Sequence, residues 1–453
     1  MNFPEIVFSL KGILASRNAE DLASIIKQNH PADLATALEH LPEADAHTLM
    51  ALTRSLDRAV IFGYLGADYQ ASLATHFDRK ELAELFFHMP PDDRADLYNR
   101  LPEERREDFM PALAQVERED IRRLAAYPEQ SVGSVMTSDY ATIPAELDAR
   151  GAIEHLRKIA PDAETIYQAF VIDTDRKLLG TVSLRELIIA SPQARILDLM
   201  KTEPVLIKAD APREEAVQLI AKYDLLALPV INGGDKLVGI VTYDDAMDVE
   251  RTETDTDFRK VGAVGELAVS IKDATIALLY KKRVFWLVLL VFGNIFSGAG
   301  IAYFEETIEA YIALVFFLPL LVDSGGNAGS QSATLMVRAL ATGDVRLRDW
   351  SGMLLRELAV AGLLGATMGL AVSLLGVWRG GPEIALVVAL TMQIVVVVGS
   401  IIGMSLPFLL SRFKLDPATA SAPLITSIAD ACGVLIYFGI ATAILGLPAP
   451  GSA

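Results

Sequence analysis

The last third of the chain contains five apolar stretches that are each long enough to cross a membrane. A helix needs about 20 residues to span a hydrocarbon core of about 30 Å. The stretches cover residues 284–304, 311–340, 353–377, 384–410 and 420–447. The sequence therefore predicts a transmembrane domain of five helices over residues 284–453.

Basic residues flank these stretches unevenly and predict their orientation, since Lys and Arg concentrate on the cytoplasmic side of a membrane. Lys281, Lys282 and Arg283 precede the first stretch, and Arg412 and Lys414 lie between the fourth and fifth. Further arginines surround the connection between the second and third stretches. We therefore expect a multi-pass protein of the cytoplasmic (inner) membrane, with its N-terminus in the cytoplasm and its C-terminus outside.

Charge is distributed unevenly along this chain of 453 residues, whose net charge is -18. Residues 281–453 contain ten basic and ten acidic residues, whereas residues 1–280 contain 30 basic and 48 acidic residues. Nucleic acids need Lys and Arg to neutralise their phosphates, so the acidic part argues against a nucleic-acid partner and favours cations. Cys432 has no second cysteine to pair with, and no secretory signal pattern begins the chain. The acidic part is expected in the cytoplasm.

Residues 1–130 show short apolar-periodic segments that are separated by proline. The breaks fall at Leu41-Pro42, Met89-Pro90 and Leu101-Pro102, and acidic residues open several of the segments that follow. Proline ends a helix, and Asp or Glu suits the first turn of the next one. The pattern predicts an acidic α-helical N-terminal domain of superhelical type, built from a stack of short helices.

Residues 131–250 contain two copies of one pattern about 60 residues apart, and each copy reads strand, helix, strand, turn, strand, helix. The repeat resembles a tandem pair of cystathionine-β-synthase (CBS) domains, which have an α/β fold. The resemblance rests on the repeat and on Pro229-Val230 followed by residues 239–242 of the second copy. CBS pairs often bind adenosine nucleotides between their repeats, so ATP or another adenosine nucleotide is a candidate ligand. Residues 244–283 are expected to form a connecting helix and a juxtamembrane segment.

The second apolar stretch carries polar side chains at a depth where a helix facing lipid is apolar. Asp323, Asn327 and Gln331 follow one another at four-residue spacing on one helix face. Asp323 lies roughly 18 Å into the stretch, near the bilayer midplane. Gly325 and Gly329 also fit a small-residue packing motif, but packing does not explain the three polar side chains. Because polar groups at this depth are costly, the pattern favours an ion path.

The fifth stretch carries a single carboxylate, Asp430. Asp416 is a predicted N-cap with Pro417 in the first helical position, which places Asp430 roughly 20 Å along the helix. Thr426, Asp430 and Gly433 share one stripe. The alternative for Asp430 is a protonated carboxyl bonded to a neighbouring helix. Carboxylate, hydroxyl and amide oxygens suit Mg²⁺ or Ca²⁺, and two chains on a two-fold axis would bring two Asp430 side chains to one path.

Two acidic clusters lie before the membrane domain. For any one of these residues, a solvated helix face is an equally simple explanation. Like charges repel, so domains that carry them are expected to separate until a divalent cation bridges them. The clusters comprise Asp92, Asp93 and Asp96 in the N-terminal domain, and Asp244, Asp245, Asp248, Glu250, Glu253, Asp255 and Asp257 after the last predicted strand.

The membrane motifs resemble those of the MgtE family of magnesium channels, and the order of domains agrees over the whole chain. The motifs are residues 325–331, residues 416–418 and the spacing of Pro423, Thr426, Asp430 and Gly433. The resemblance implies a homodimer with a central Mg²⁺ pathway in which Asp430 holds the hydrated ion. It also implies that the pathway is bordered by Gly325, Gly326, Asn327 and Thr426.

The same resemblance implies that cytosolic Mg²⁺ closes the channel by binding between the N-terminal domain, the CBS domains and the connecting helix. Thr256 stands where an acid would strengthen the sensor. We therefore predict a Mg²⁺-selective channel that is not an enzyme. The alternatives are a secondary divalent-cation transporter coupled to H⁺ or Na⁺, and a nucleotide-sensing membrane scaffold. The candidate sensor residues are Asp92, Asp96, Asp245, Asp248, Glu253 and Asp257, with Asp416 as a contact between channel and connecting helix.

Overall fold

The computed structural model describes residues 3–265 and 274–447. The chain divides into two compact units, Met1–Arg251 and Thr252–Ala453. Residues 266–273, in the middle of the predicted connecting segment, lie outside the described residues, as does the C-terminal tail from residue 448.

Within residues 3–130 the structure has ten α-helices, and proline sets several of their boundaries. Pro42, Pro90 and Pro102 each occupy the N-cap position of a helix, which confirms the predicted breaks. The helices pack around a shared core that includes the fully buried Phe62 and Phe86. They are α1 (Phe3–Ser16), α2 (Ala19–Gln28), α3 (Pro31–Glu39), α4 (Glu43–Leu52), α5 (Ser55–Gly63), α6 (Ala67–Ala74), α7 (Arg79–His88), α8 (Pro91–Arg100), α9 (Glu103–Phe109) and α10 (Gln115–Ala125).

The predicted repeat folds into two small sheets with flanking helices. In each copy a parallel strand pair is followed by an antiparallel hairpin. The first copy contains β1 (Tyr140–Pro144), α11 (Ala149–Ile159), β2 (Thr165–Ile172), β3 (Leu178–Ser183) and α12 (Leu184–Ile189). The second region contains α13 (Ile196–Leu199), β4 (Lys201–Thr202), β5 (Ile207–Lys208), α14 (Arg213–Tyr223), β6 (Ala227–Ile231), β7 (Leu237–Thr242) and α15 (Tyr243–Val261). The strand orders are β1-β2-β3-β4 and β5-β6-β7.

Two glycines occupy equivalent places in the two sheets and confirm the internal repeat. Val171 pairs with Gly180 in the first hairpin, and Val230 pairs with Gly239 in the second. A Cβ atom at Gly239 would lie 2.7 Å from the sulfur of Met136, and one at Gly180 would lie 2.6 Å from a backbone oxygen. Both positions therefore require a residue without a side chain, because packed interiors leave no space for one.

The second unit is built from long apolar helices. Three stretches are long and apolar enough to cross a membrane, namely Ile276–Tyr303, Leu347–Arg412 and Ala422–Leu445. Large apolar side chains such as Phe285, Leu363 and Trp378 are exposed on them, as expected for surfaces that face lipid. The helices are α16 (Ile276–Gly293), α17 (Ile295–Tyr303), α18 (Glu305–Ala310), α19 (Leu314–Ala341), α20 (Trp350–Arg412) and α21 (Ala422–Leu445).

The five predicted spans do not correspond one to one to these helices. The third and fourth predicted spans are both parts of α20, whose 63 residues are interrupted by the non-helical backbone of Gly381 (φ 83°, ψ -175°). Within the described residues α19 is not among the three apolar stretches, because its polar residues lower its hydropathy. The count of five spans therefore stays a prediction.

Small residues let the long helices approach one another closely. The Cβ of a residue at Gly329 would lie 2.6 Å from the carbonyl oxygen of Gly399, and one at Gly326 would lie 2.6 Å from Cγ2 of Thr426. A Cβ at Gly399 would collide with the carbonyl oxygen of Gly325. These glycines thus hold α19 against both α20 and α21, which is the small-residue packing known from membrane helices.

The predicted start of the last helix is wrong by several residues. Asp416 does act as an N-cap, and its Oδ1 accepts a hydrogen bond of 2.8 Å from the backbone N–H of Ala418. It caps only a short 3₁₀ helix, Pro417–Thr419, and α21 begins at Ala422 after a break in the backbone at Ala420. Asp430 therefore lies about 12 Å along α21 rather than 20 Å.

Candidate ion sites

Helix α8 is anchored on the tandem repeat. Ala95 is buried among residues from the second repeat, in one core with Leu228 and Val230. The guanidinium of Arg94 is buried, and its Nη2 lies 3.7 Å from Oδ2 of Asp139. This docking positions the first turn of α8, with its acidic side chains, against the repeat.

Four carboxylates are brought together there, and we call Asp92, Asp93, Glu164 and Asp245 the carboxylate cluster. Burial raises the pKa of Asp92 to about 8, with further contributions from the charges of Asp93 and Glu164. Burial also raises the pKa of Asp93 to about 7, and the charge of Asp245 adds to the effect. The pKa of Asp245 is raised to about 8 for the same reasons, although the hydroxyl of Thr242 donates a hydrogen bond to it.

Glu164 was missed by the sequence analysis. It lies between α11 and β2, where no periodic pattern marks it. Burial raises its pKa, and the charges of Asp244 and Asp139 add to this. Its own charge raises the pKa of three other acids, which are Asp92, Asp93 and Asp245. Glu164 is therefore a central member of the cluster.

The other predicted sensor residues surround this cluster or lie further along α15. The charges of Asp96 and Asp248 both raise the pKa of Asp93, so these two acids border the cluster. Glu253 and Asp257 are half-buried and lie one helical turn apart on α15. The charges of both acids raise the pKa of Lys260. No sequence pattern had predicted a role for Lys260.

Lys260 forms an ion pair with Asp416 in the second unit. The Nζ atom of Lys260 donates to Oδ2 of Asp416 over 2.5 Å. Partial burial lowers the pKa of Lys260, but the hydrogen bond and charge of Asp416 outweigh it and raise the pKa above its ordinary value. Both oxygens of Asp416 are thus engaged, one by Lys260 and one by the N–H of Ala418.

Small residues and polar residues lie on different faces of helix α19. Asp323, Asn327 and Gln331, which we call the polar row, are exposed on the surface of this single chain. Nδ2 of Asn327 donates a hydrogen bond of 2.8 Å to Oδ2 of Asp323. Gly325 and Gly326 are buried on the packed side of the helix. Packing therefore accounts for the glycines, and the polar row is left on an open face.

Asp430 is half-buried in α21. Its Oδ1 atom is enclosed but has no hydrogen-bond partner in residues 3–265 and 274–447. The charge of Asp323 acts on this carboxyl group, so the acids of α19 and α21 are electrostatic neighbours. Thr426 lies one turn earlier on α21, and its hydroxyl donates a hydrogen bond of 2.6 Å to the carbonyl of Ala422.

Neither the carboxylate cluster nor the pair of Asp323 and Asp430 forms a complete metal-binding site. Among the residues that the structure describes, no three His, Cys, Asp or Glu side chains converge closely enough to hold a metal ion. Mg²⁺ loses its water reluctantly and is often bound through its hydration shell.

The apolar helices, the polar residues within them and the acidic domains on the N-terminal side are typical of a membrane cation transporter with an attached N-terminal part. Comparison with family models agrees with this class. Residues 318–440 match the divalent cation transporter model MgtE, and residues 29–130 match the MgtE intracellular N domain. Residues 132–192 and 196–251 match the CBS domain, which confirms the tandem CBS pair.

Individual relatives cover most of the chain. The magnesium transporter MgtE of Bacillus subtilis is 31% identical over 98% of each chain, and that of Thermus thermophilus is 39% identical over 72% of each chain. The chain belongs to the MgtE family of magnesium transporters. A crystal structure of the cytosolic domain of the Mg²⁺ channel MgtE in complex with ATP is also similar. Its TM-score is 0.51 at 30% identity, and the match covers 54% of this chain and 99% of that one.

Proposed function

We propose that the protein is a homodimeric Mg²⁺ channel of the cytoplasmic membrane, which cytosolic Mg²⁺ closes by binding between the N-terminal domain, the CBS domains and α15. The observation that carries the proposal is the carboxylate cluster. In this structure α8 of the N-terminal domain packs on the CBS pair, and we call this the compact arrangement. Three members of the cluster have pKa values near 7 or 8 in it. Near neutral pH, keeping these groups together therefore costs free energy unless protons or a cation compensate their charge.

A divalent cation would remove this cost. Mg²⁺ that binds the compact arrangement better than the separated one shifts the population toward the compact arrangement. The cluster and its neighbours supply only oxygen ligands, which Mg²⁺ prefers. Bridging through water molecules fits the absence of a three-ligand cage in the described residues. Low cytosolic Mg²⁺ then loosens the domains, and high Mg²⁺ closes the channel.

The proposed path passes Asp430 and the polar row. An exposed Asp323 paired with Asn327 would be costly against lipid, because hydrocarbon supplies no partners for polar groups. A second copy on a two-fold axis would enclose this face around water. Asp430 would then hold the hydrated ion by its unpaired oxygen, with Thr426 one turn away on the same helix. Gly325 and Gly326 would serve the path indirectly, because they pack α19 against the neighbouring helices.

The pair of Lys260 and Asp416 is proposed to transmit closure. Lys260 lies at the end of α15, which begins at the last CBS strand. Asp416 caps the segment that leads into α21, the helix of Asp430. Movement of α15 would therefore reach the helix that carries the proposed ion ligand. In this proposal Asp416 acts as a contact and Glu253 and Asp257 act as sensor acids nearby.

An adenosine nucleotide is proposed as a second ligand, at the CBS pair. The similar cytosolic domain that was solved in complex with ATP supports this assignment. Equilibrium binding of radiolabelled ATP to the purified full chain tests it. Saturable binding is expected, and a linear, non-saturable response would contradict it.

Transport assays on proteoliposomes test the sensor. Asp92→Asn combined with Asp245→Asn removes two members of the carboxylate cluster, and we expect at least about tenfold more cytosolic Mg²⁺ to be needed for half-inhibition. Transport at low Mg²⁺ should persist, because Asp93 and Glu164 keep their charges. The matched control is Asp33→Asn with Asp210→Asn, which neutralises one exposed acid in each domain. Inhibition at the wild-type Mg²⁺ concentration in the first variant would refute the proposed sensor.

A further inference from the structure

A groove in the N-terminal domain gathers positive charge within an acidic domain. It lies between α8, α9 and α10 and has a volume of about 610 Å³. Arg118 and Arg122 enter it from one face of α10, and Arg106 enters it from α9. Residues 1–130 contain 23 acidic and 14 basic residues. The three guanidinium groups are therefore a concentration of positive charge in a domain whose net charge is negative.

Two of these arginines are held in place by the protein. The guanidinium of Arg106 lies over the ring of Tyr98, 5.3 Å from its centre, and its Nε is enclosed without a hydrogen-bond partner among the described residues. Nη1 of Arg118 donates a hydrogen bond of 2.9 Å to the carbonyl of Leu113. Enclosing an N–H donor without an acceptor is costly, and fixed guanidinium groups lose little entropy when they bind an anion.

The groove also contains two carboxylates, Glu103 and Glu107, one turn apart on α9. In the described part of the chain, no ion pair within 4 Å joins them to Arg106, Arg118 or Arg122. The three arginines exceed the two acids by one charge. A ligand with a single negative charge would therefore gain little binding energy in the groove. A ligand with several negative charges close together would gain more.

We propose that this groove binds a small diphosphate anion. Arginine presents paired N–H donors that match the oxygens of a phosphate group, and charge-assisted bonds of this kind are roughly twice as strong as neutral ones. The volume of about 610 Å³ falls within the range of small-molecule sites and exceeds the size of a single phosphate. Because α8 also carries Asp92 and Asp93, the ligand would contact the same helix as the proposed Mg²⁺ sensor.

Calorimetric titration of the full chain with pyrophosphate, in buffer without Mg²⁺, tests the proposal. Arg106→Gln with Arg122→Gln should weaken binding by about tenfold or more, since each removes a charged donor. The control is Arg54→Gln with Lys80→Gln, which removes the same charge from the same domain outside the groove and should leave binding unchanged.

A variant with the opposite expected effect completes the test. Glu103→Gln with Glu107→Gln removes the two carboxylates that would repel an anion in the groove. This variant should tighten pyrophosphate binding several-fold. Arg122→Gln alone serves if the double arginine variant does not fold, because Arg122 is exposed. No binding at millimolar pyrophosphate would overturn the proposal. Equal binding by the wild type and the arginine variants would overturn it as well, because the anion would then bind outside the groove.

Discussion

The two units of this protein use acidic residues in opposite ways. The first unit presses many carboxylates together, and burial raises the pKa values of Asp92, Asp93 and Asp245 to about 7 or 8. The second unit has fewer acids, and two of them, Asp323 and Asp430, lie among the apolar helices beside amide and hydroxyl groups.

In the proposed function, this difference separates the requirements of Mg²⁺ sensing from those of ion passage. A cluster that is unfavourable without a cation responds strongly to the concentration of that cation, because binding relieves repulsion. An ion path needs ligands that attract an ion and still release it, so a few carboxylates beside neutral oxygens suit it better. Variants that change one unit at a time can therefore break or sharpen this contrast.

Removal of Asp430 should have the largest effect. Asp430→Ala is expected to reduce Mg²⁺ uptake about a hundredfold or more, because the path loses its charged ligand. The measurement is Mg²⁺ influx into proteoliposomes, with growth of a magnesium-uptake-deficient strain as a second readout. Asp344→Asn, which neutralises an exposed acid of the same unit, is the control. Uptake close to that of the wild type in Asp430→Ala would contradict the role of this residue.

Disrupting the helix packing that positions these acids should have the next largest effect. A Cβ at Gly399 collides with the carbonyl oxygen of Gly325, so Gly399→Ala should lower the stability of the second unit by about 1–3 kcal/mol. Thermal unfolding in detergent measures this change. Gly362→Ala is a matched control, because a Cβ there meets no atom within 4 Å. Equal unfolding temperatures for the two variants would exclude close packing at Gly399.

The response to Mg²⁺ should depend on pH. The compact state raises the pKa values of Asp92 and Asp245 from 3.8 to about 8, so it binds more protons than the separated state between these values. Without Mg²⁺ the compact state therefore loses stability as pH rises toward 8, because it releases the protons that compensate its charge. Protons and Mg²⁺ both stabilise the compact state, so we expect the half-inhibiting Mg²⁺ concentration to rise by roughly tenfold between pH 6 and pH 8. A flat profile, or an equal slope in Asp92→Asn with Asp245→Asn, would contradict this.

Breaking the ion pair of Lys260 and Asp416 should have the smallest effect. Both side chains are about one third exposed, and such pairs contribute under about 1 kcal/mol. Lys260→Met should therefore raise the half-inhibiting Mg²⁺ concentration by only about fivefold or less. A double-mutant cycle with Asp416→Asn isolates the pair, because the double variant should resemble Lys260→Met alone. Fully additive shifts would show that the pair does not contribute to closure.

Much of the fold could be predicted because it depends on local properties of the chain. Proline at positions 42, 90 and 102 ended helices as expected, and the repeat pattern predicted the two sheets of the CBS pair. Four-residue spacing predicted the shared face of the polar row. Local geometry is misleading at α21, where the N-cap residue Asp416 predicts the start of the whole helix but caps only a 3₁₀ turn.

The sequence by itself determined where the apolar helices, the repeats and the acidic residues lie, because helix periodicity and backbone preference act over a few neighbouring residues. Only the tertiary structure decided that Glu164 joins Asp92 and Asp245, and that Lys260 pairs with Asp416. Burial and the distances between charges set these partnerships. Both depend on how segments far apart in the chain pack against one another.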